Sequence, residues 1–159
     1  MQDALDDFRR TVEAAATRLG ALTEAEAARL RADEGWTVKQ ILGHLVDSAA
    51  NNHRRFVLAQ TRAELNFEGY AQEDWVRVQR YDAEPWAQLV ALWRAYNLHL
   101  LHVMAYADET ALRAPRAEHT LDRIAFNTVS PAEPATLEYL MLDYIEHLKH
   151  HLRQIFDES

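Results

Sequence analysis

Residues 136–156 read TLEYLMLDYIEHLKHHLRQIF, an unbroken amphipathic pattern that predicts the last helix of the chain. At about 100° per residue, its apolar residues fall on one stripe. The stripe consists of Leu137, Met141, Tyr144, Leu148 and Ile155. His151 lies inside the edge of this stripe, His147 lies on its flank, and His150 points toward solvent. Two histidines one turn apart therefore face a core.

The pair formed by His147 and His151 admits two interpretations. Imidazoles at positions i and i+4 project side by side from a helix, so a divalent metal can bridge them. A histidine at the edge of an apolar stripe is, however, more often a hydrogen-bonded core residue than a ligand. The pair alone does not choose between these, and a third histidine elsewhere would favour the metal.

The composition favours helix over nearly the whole chain. The 159 residues include only four Gly and four Pro, and Ala, Leu, Glu and Arg are abundant. Besides the last helix, amphipathic patterns predict long helices at residues 3–19, 37–60 and 84–106, and shorter ones at 23–31 and 72–79. We therefore predict an all-α four-helix bundle with short extra helices in the connections, forming a single domain over residues 1–159.

Charge and cysteine content exclude several classes of function. The chain has no cysteine, which excludes thiolate metal ligands and a cysteine nucleophile of its own. Its formal net charge of −8, with scattered basic residues, argues against a nucleic-acid partner. The charged N-terminus and the lack of a long apolar run predict a cytoplasmic protein without membrane association.

A row of polar side chains marks the second long helix. Thr37 and Gln40 fit a capping box that begins this helix. His44, Ser48, Asn51 and Arg55 follow at successive turns along the edge of its apolar stripe, and Asn52 lies inside the stripe. Polar groups at such positions cost free energy unless they are paired. The row is therefore either a structural hydrogen-bond network or the wall of a wet pocket.

Three histidines can meet if the second and last long helices are neighbours. His44, His147 and His151 would then offer three neutral nitrogen ligands and leave the other coordination positions to water or substrate. Such an open arrangement is typical of catalytic sites, and its ligands suit Zn, Ni, Fe or Mn.

Three segments of the chain resemble the DinB/YfiT-like superfamily of metalloenzymes. They are GWTVKQILGHLVDSAANNHRRFVLAQ (35–60), GYAQEDWVRVQRYDAEPWAQLVALWRAYNLHL (69–100) and LEYLMLDYIEHLKHHLRQI (137–155). The signature is a histidine after a W-[ST]-x-K-x-[IL]-x-x-H lead, followed late in the chain by H-x-x-x-H-x-x-Q. Both parts occur here in the same order.

The resemblance implies a four-helix bundle that holds a divalent metal on three histidines. By motif, the ligands would be His44, His147 and His151, with Gln154 closing the motif and His150 outside it. The usual H-R-G-Q ending here reads His-Leu-Arg-Gln over residues 151–154, downstream of the ligands. The resemblance also favours a homodimer.

Members with assigned activity include S-transferases and isomerases that use bacillithiol, mycothiol or glutathione. We therefore expect a metal-dependent enzyme that acts on a small molecule, either transferring a low-molecular-weight thiol or hydrolysing with water activated by the metal. Side chains expected to orient the substrate or rim its pocket are Asn51, Asn52, Arg55, Asn97, Tyr70 and Trp75. Arg55 is suited to holding a carboxylate through two parallel hydrogen bonds.

Two alternatives remain open at the level of sequence. In the first, the metal only ties two helices together in a non-catalytic binding or stress-response module, and a fourth protein ligand such as Asp143 or His150 closes the site. In the second, there is no metal and the histidines are hydrogen-bonded core residues. A cavity beside the histidines would favour the enzyme over the first alternative, and an unchanged metal content on removal of His44 would favour the second.

Overall fold

The computed structural model describes residues 1–31 and 35–156, and within these ranges regular structure is entirely helical. The helices, numbered in chain order, are α1 (Gln2–Gly20), α2 (Glu24–Ala27), α3 (Val38–Ala59), α4 (Gln72–Gln79), α5 (Trp86–Ala105), α6 (Glu109–Arg113), α7 (Leu121–Ile124) and α8 (Leu137–Phe156), with a 3₁₀ turn at Tyr81–Ala83. The all-α prediction is confirmed. None of these helices combines the length and apolar character needed to span a bilayer.

The four long helices, α1, α3, α5 and α8, form the bundle, and Tyr144 on α8 lies where they meet. Its ring packs edge-on against Phe8 of α1 and Phe56 of α3, with centroids 6.1 and 5.8 Å apart. Its hydroxyl donates a hydrogen bond of 2.6 Å to the side-chain oxygen of Asn97 on α5. One buried side chain thus contacts all three other long helices and fixes the distance between α3 and α8.

Capping boxes begin α2 and α3 as the sequence predicts. At the start of α3, the Thr37 side chain accepts a hydrogen bond from the Gln40 amide, and the Gln40 side chain accepts one from the Thr37 amide. Both side chains also donate to the carboxylate of Asp82, over 2.8 and 2.9 Å. The first turn of α3 is therefore tied to the 3₁₀ turn, which fixes where His44 emerges two turns later.

Two helix ends differ from the sequence prediction. Helix α2 ends at Ala27 rather than near Arg31. The residues after it pair with the segment that precedes α3, since Leu30 forms an antiparallel bridge to Thr37. Helix α5 begins at Trp86, two residues later than predicted, with Pro85 as its N-cap. Residues 107–134 contain α6 and α7, which the sequence pattern did not indicate.

A close approach beside His44 positions the site. The ring of Tyr81 lies directly over Gly43, where an added Cβ would come within 2.1 Å of it. The Tyr81 hydroxyl donates a hydrogen bond of 2.6 Å to the buried carboxylate of Asp47, one turn further along α3. Only glycine at position 43 leaves room for this contact.

Candidate metal centre

Three imidazoles converge between α3 and α8. The Nε2 atom of His147 lies 3.3 Å from Nε2 of His44 and 3.0 Å from Nε2 of His151. One ring nitrogen from each histidine lies within 4.8 Å of the other two. Over residues 1–31 and 35–156, these three form the one cluster of potential metal ligands with this spacing.

Two of the three nitrogen-to-nitrogen distances fit a common cation. Two ligand nitrogens at about 2.1 Å from a metal are roughly 3.0 Å apart at a right angle and roughly 3.4 Å apart at the tetrahedral angle. The distances of 3.0 and 3.3 Å fall within this interval. The donor set, three imidazoles without thiolate, matches Zn, Ni, Fe or Mn.

The protein orients the two α8 histidines through their other ring nitrogens. Nδ1 of His151 lies 2.5 Å from the side-chain oxygen of Gln154, which can only accept a hydrogen bond. Nδ1 of His147 lies 3.4 Å from the hydroxyl of Ser48 on α3. When Nδ1 carries the proton, Nε2 has a free lone pair. This tautomer is the one that binds a metal through Nε2.

Burial keeps all three imidazoles neutral. Loss of hydration, reinforced by the neighbouring imidazoles, lowers the pKa of His44 to about 3 and that of His147 to about 2. The pKa of His151 falls to about 4 by burial, against an opposing contribution from Gln154. Neutral imidazole is the form that binds metal, so at pH 7 the ligands need lose no proton first.

A cavity of about 350 Å³ adjoins the three histidines. Its wall includes Asn52, Arg55 and Tyr70, three of the side chains expected at a substrate pocket. Asn52 donates hydrogen bonds to the backbone oxygen and hydroxyl of Ser48, and Arg55 donates to the side-chain oxygen of Asn52. The polar row on α3 is thus both a hydrogen-bond network and a cavity wall.

The two side chains considered as a closing fourth ligand are engaged elsewhere. The carboxylate of Asp143 accepts hydrogen bonds from the backbone amides of Phe126 and Asn127, over 2.8 and 2.7 Å. Nε2 of His150 lies 3.0 Å from the amide nitrogen of Gln154. Neither belongs to the cluster of potential ligands. Asp143 instead holds the loop that places the Phe126 ring against His147 and His150.

Three of the expected pocket residues lie away from the cavity wall. Asn97 is fully buried, where it binds the Tyr144 hydroxyl and donates to the backbone oxygen of Trp93. Asn51 donates to the Asp47 backbone oxygen one turn back. Trp75 is partly exposed and packs on the outer side of Tyr70, with ring centroids 5.1 Å apart. These positions give the three side chains contacts within the protein.

The sequence analysis missed the parts of the site that come from connecting segments. Phe126 lies in an irregular stretch that carries no motif, and the binding partners of Asp143 are backbone amides of that same stretch. Gly43 did leave a signal, since a glycine inside a long helix costs about 1 kcal/mol and usually marks a close approach. Tyr81 is the group that approaches.

Gln154 gives a direct test of ligand orientation. We expect Gln154→Leu to weaken metal binding by about 10–100-fold, because it removes the acceptor that holds His151 Nδ1. Gln154→Glu, which keeps an oxygen acceptor in the same place, should retain most of the affinity. A titration against a chromophoric chelator measures both constants. Equal affinities for wild type and Gln154→Leu would contradict the orienting role.

Comparisons with known proteins agree on one family and one fold. A family model described as the DinB superfamily matches residues 5–155. The "Putative metal-dependent hydrolase YfiT" of Bacillus subtilis is 30% identical over 130 residues, which are 80% of this chain and 66% of that protein. A relative in Bacillus mycoides, also named as a putative metal-dependent hydrolase, is 41% identical over 44 residues, covering 28% of this chain and 25% of its own. The chain therefore spans about two thirds of the first relative and a quarter of the second.

A solved structure of YfiT from Bacillus subtilis, described as having an unusual four-helix bundle topology, superposes with a TM-score of 0.75. The match covers 100% of this chain and 87% of that one, at 21% sequence identity. Similarity at this level of identity shows a shared fold.

Proposed function

Because the chain belongs to the DinB superfamily, we propose that it is a metal-dependent hydrolase of a small molecule, with a divalent cation held by His44, His147 and His151. The observation that carries this proposal is the convergence of three Nε2 atoms, at 3.0 and 3.3 Å, beside a cavity. The names of the relatives support hydrolysis as the reaction.

The cation would be Zn, Ni, Fe or Mn, since the ligands are nitrogens. When bound, a divalent cation on neutral ligands lowers the pKa of a water or thiol and makes it a nucleophile near neutral pH. S-transfer is the second candidate. Because the chain has no cysteine, the thiol in this reaction would come from a second substrate.

The chain's own residues would bind and orient the substrate. Asn52 and Arg55 present polar groups along one wall of the cavity, while Tyr70 and Phe126 flank it with aromatic rings. The Tyr70 ring stacks toward His44, with centroids 6.5 Å apart. These rings would restrict access of bulk water to the reacting group, which strengthens electrostatic interactions inside the cavity.

An open position for substrate supports a catalytic rather than a purely structural role. A structural site of this kind normally has a fourth protein ligand. Asp143 is instead bound to backbone amides, and His150 is outside the ligand cluster. The cavity wall includes all three histidines, and among the described residues no fourth side chain joins this cluster of potential ligands.

An activity screen on defined metal forms tests the proposal. The protein, purified without a metal-affinity tag, is stripped and reloaded with Zn, Ni, Fe or Mn, then assayed with aryl esters, amides and phosphate esters. In parallel, conjugation of glutathione to an aryl halide is measured. We expect hydrolysis that depends on the metal and is lost in His44→Ala.

His102→Ala is the matched control, since His102 is an exposed histidine on α5. Its hydrolytic rate should equal that of wild type. Metal-dependent conjugation without hydrolysis would mean that the protein is an S-transferase and not a hydrolase. Equal hydrolysis by wild type and His44→Ala would reject the proposed site.

A further inference from the structure

Arg55 is a buried cation without an acidic partner in the described part of the chain. It is 5% exposed, and its hydrogen bonds go to neutral oxygens: the side chain of Asn52 at 3.3 Å and the backbone of Glu68 at 3.0 Å. Burying a charge costs several kcal/mol unless an opposite charge or a full set of hydrogen bonds offsets the loss of hydration. A guanidinium has five N–H donors, and these contacts occupy two of its nitrogens.

The charged side chains that line the cavity beside Arg55 sum to one formal positive charge, although the chain as a whole is negative. The charged side chains in its wall are Arg55, Arg123 and Asp143. The Asp143 carboxylate is already bound by the amides of Phe126 and Asn127. Arg123 is mostly exposed and lies 3.7 Å from Asp122. In a chain of net charge −8, Arg55 is therefore the desolvated cation that faces the cavity.

A chain of hydrogen-bond contacts links the Arg55 guanidinium to the histidines, although Arg55 lies several turns further along α3. Ser48 contacts His147, Asn52 binds Ser48, and Arg55 binds Asn52, so the row leads away from the histidines along α3. His44 and Arg55 are eleven residues apart, which corresponds to roughly 16 Å along the helix axis between their backbones. A group held by Arg55 would lie some distance from a group that reacts beside the histidines.

We infer that Arg55 binds a carboxylate of the substrate, at the end of the molecule remote from the reacting bond. This inference rests on the proposed function and narrows its substrate class to small carboxylic acids. The planar fork of a guanidinium matches the two oxygens of a carboxylate. The same fork can bind a phosphate, but a phosphate dianion carries about twice the charge that one buried arginine neutralises, which favours the carboxylate.

Matched probes test the inference by binding alone. The affinities of 4-phenylbutanoate, its neutral amide 4-phenylbutanamide and 3-phenylpropyl phosphate are measured by calorimetry for zinc-loaded and metal-free protein. We expect wild type to favour the carboxylate over the amide by about tenfold or more, as for a charge-assisted hydrogen bond. This preference should persist without zinc, because Arg55 and not the cation supplies it.

Three variants separate Arg55 from other sources of charge. Arg55→Gln should lose the preference, Arg55→Lys should keep part of it, and Arg123→Gln should resemble wild type. Thermal unfolding checks that each variant folds. If Arg55→Gln does not fold, the reduced carboxylate preference expected of Arg55→Lys still tests the inference. An unchanged preference in Arg55→Gln, or one present only with zinc, would overturn the inference. Tighter binding of the phosphate would overturn the assignment to carboxylates.

Zinc content, measured on the same samples, keeps this test distinct from that of the metal site. If wild type binds zinc but Arg55→Gln keeps the carboxylate preference, the inference about Arg55 fails and the metal centre stands. If wild type takes up none of Zn, Ni, Fe and Mn, the proposed function fails, while the metal-free titrations still measure what Arg55 binds.

Discussion

Replacing any one of His44, His147 and His151 by alanine is expected to lower bound metal from about one equivalent to less than a tenth of that after dialysis, because two imidazoles cannot hold an open site. The three side chains contribute comparably, since each supplies one nitrogen to the same cluster. Elemental mass spectrometry on protein purified without a metal-affinity tag measures the content. Metal retained in all three variants would show that the cation binds elsewhere.

His150→Ala is the internal control for this series. His150 is adjacent in sequence to a proposed ligand but lies outside the ligand cluster, so its loss should leave the metal in place. Thermal stability gives a second measurement. A cation at a thousand times its dissociation constant stabilises the folded state by about 4 kcal/mol. Wild type and His150→Ala should gain this stability on addition of metal, and the three ligand variants should not.

The convergence of the three histidines could be predicted because it depends on helical phase. His151 falls inside the apolar stripe of α8 and His147 on its flank, so the positions of both follow from 3.6 residues per turn. His44 follows from the capping box at Thr37, which sets the start of α3 and hence the direction of each later side chain. The resemblance to the DinB/YfiT-like superfamily added that these two helices are neighbours.

The remainder of the site depends on contacts that have no periodicity. Phe126 reaches His147 because a carboxylate on α8 binds the backbone of its loop, and any residue other than proline at positions 126 and 127 would offer the same amides. Arg55 could be placed on the correct face of α3 from sequence. Its lack of an acidic partner could not, since that depends on which residues of other segments surround it.

The second large effect is expected at Gly43. Gly43→Ala should lower the free energy of unfolding by about 3 kcal/mol, because the new Cβ would overlap the buried Tyr81 ring. A Cβ at this position would lie 2.1 Å from Cδ2 of that ring. Helix propensity alone predicts the opposite sign, a gain of about 1 kcal/mol for alanine over glycine. The steric effect is larger, so the midpoint of thermal unfolding should fall by roughly 10 °C.

Two controls assign this loss to the contact between Gly43 and Tyr81. Gly20→Ala, at the end of α1, adds a Cβ that meets nothing within 4 Å, so its stability should change by less than about 0.5 kcal/mol. Tyr81→Ala is destabilising alone, since it removes a buried ring and the hydrogen bond to Asp47. Adding Gly43→Ala to Tyr81→Ala should then cost nothing further, because the overlapping ring is gone. Additive losses in the double variant would mean that Gly43 is required by the backbone of α3 itself, and that Tyr81 does not fix the position of His44.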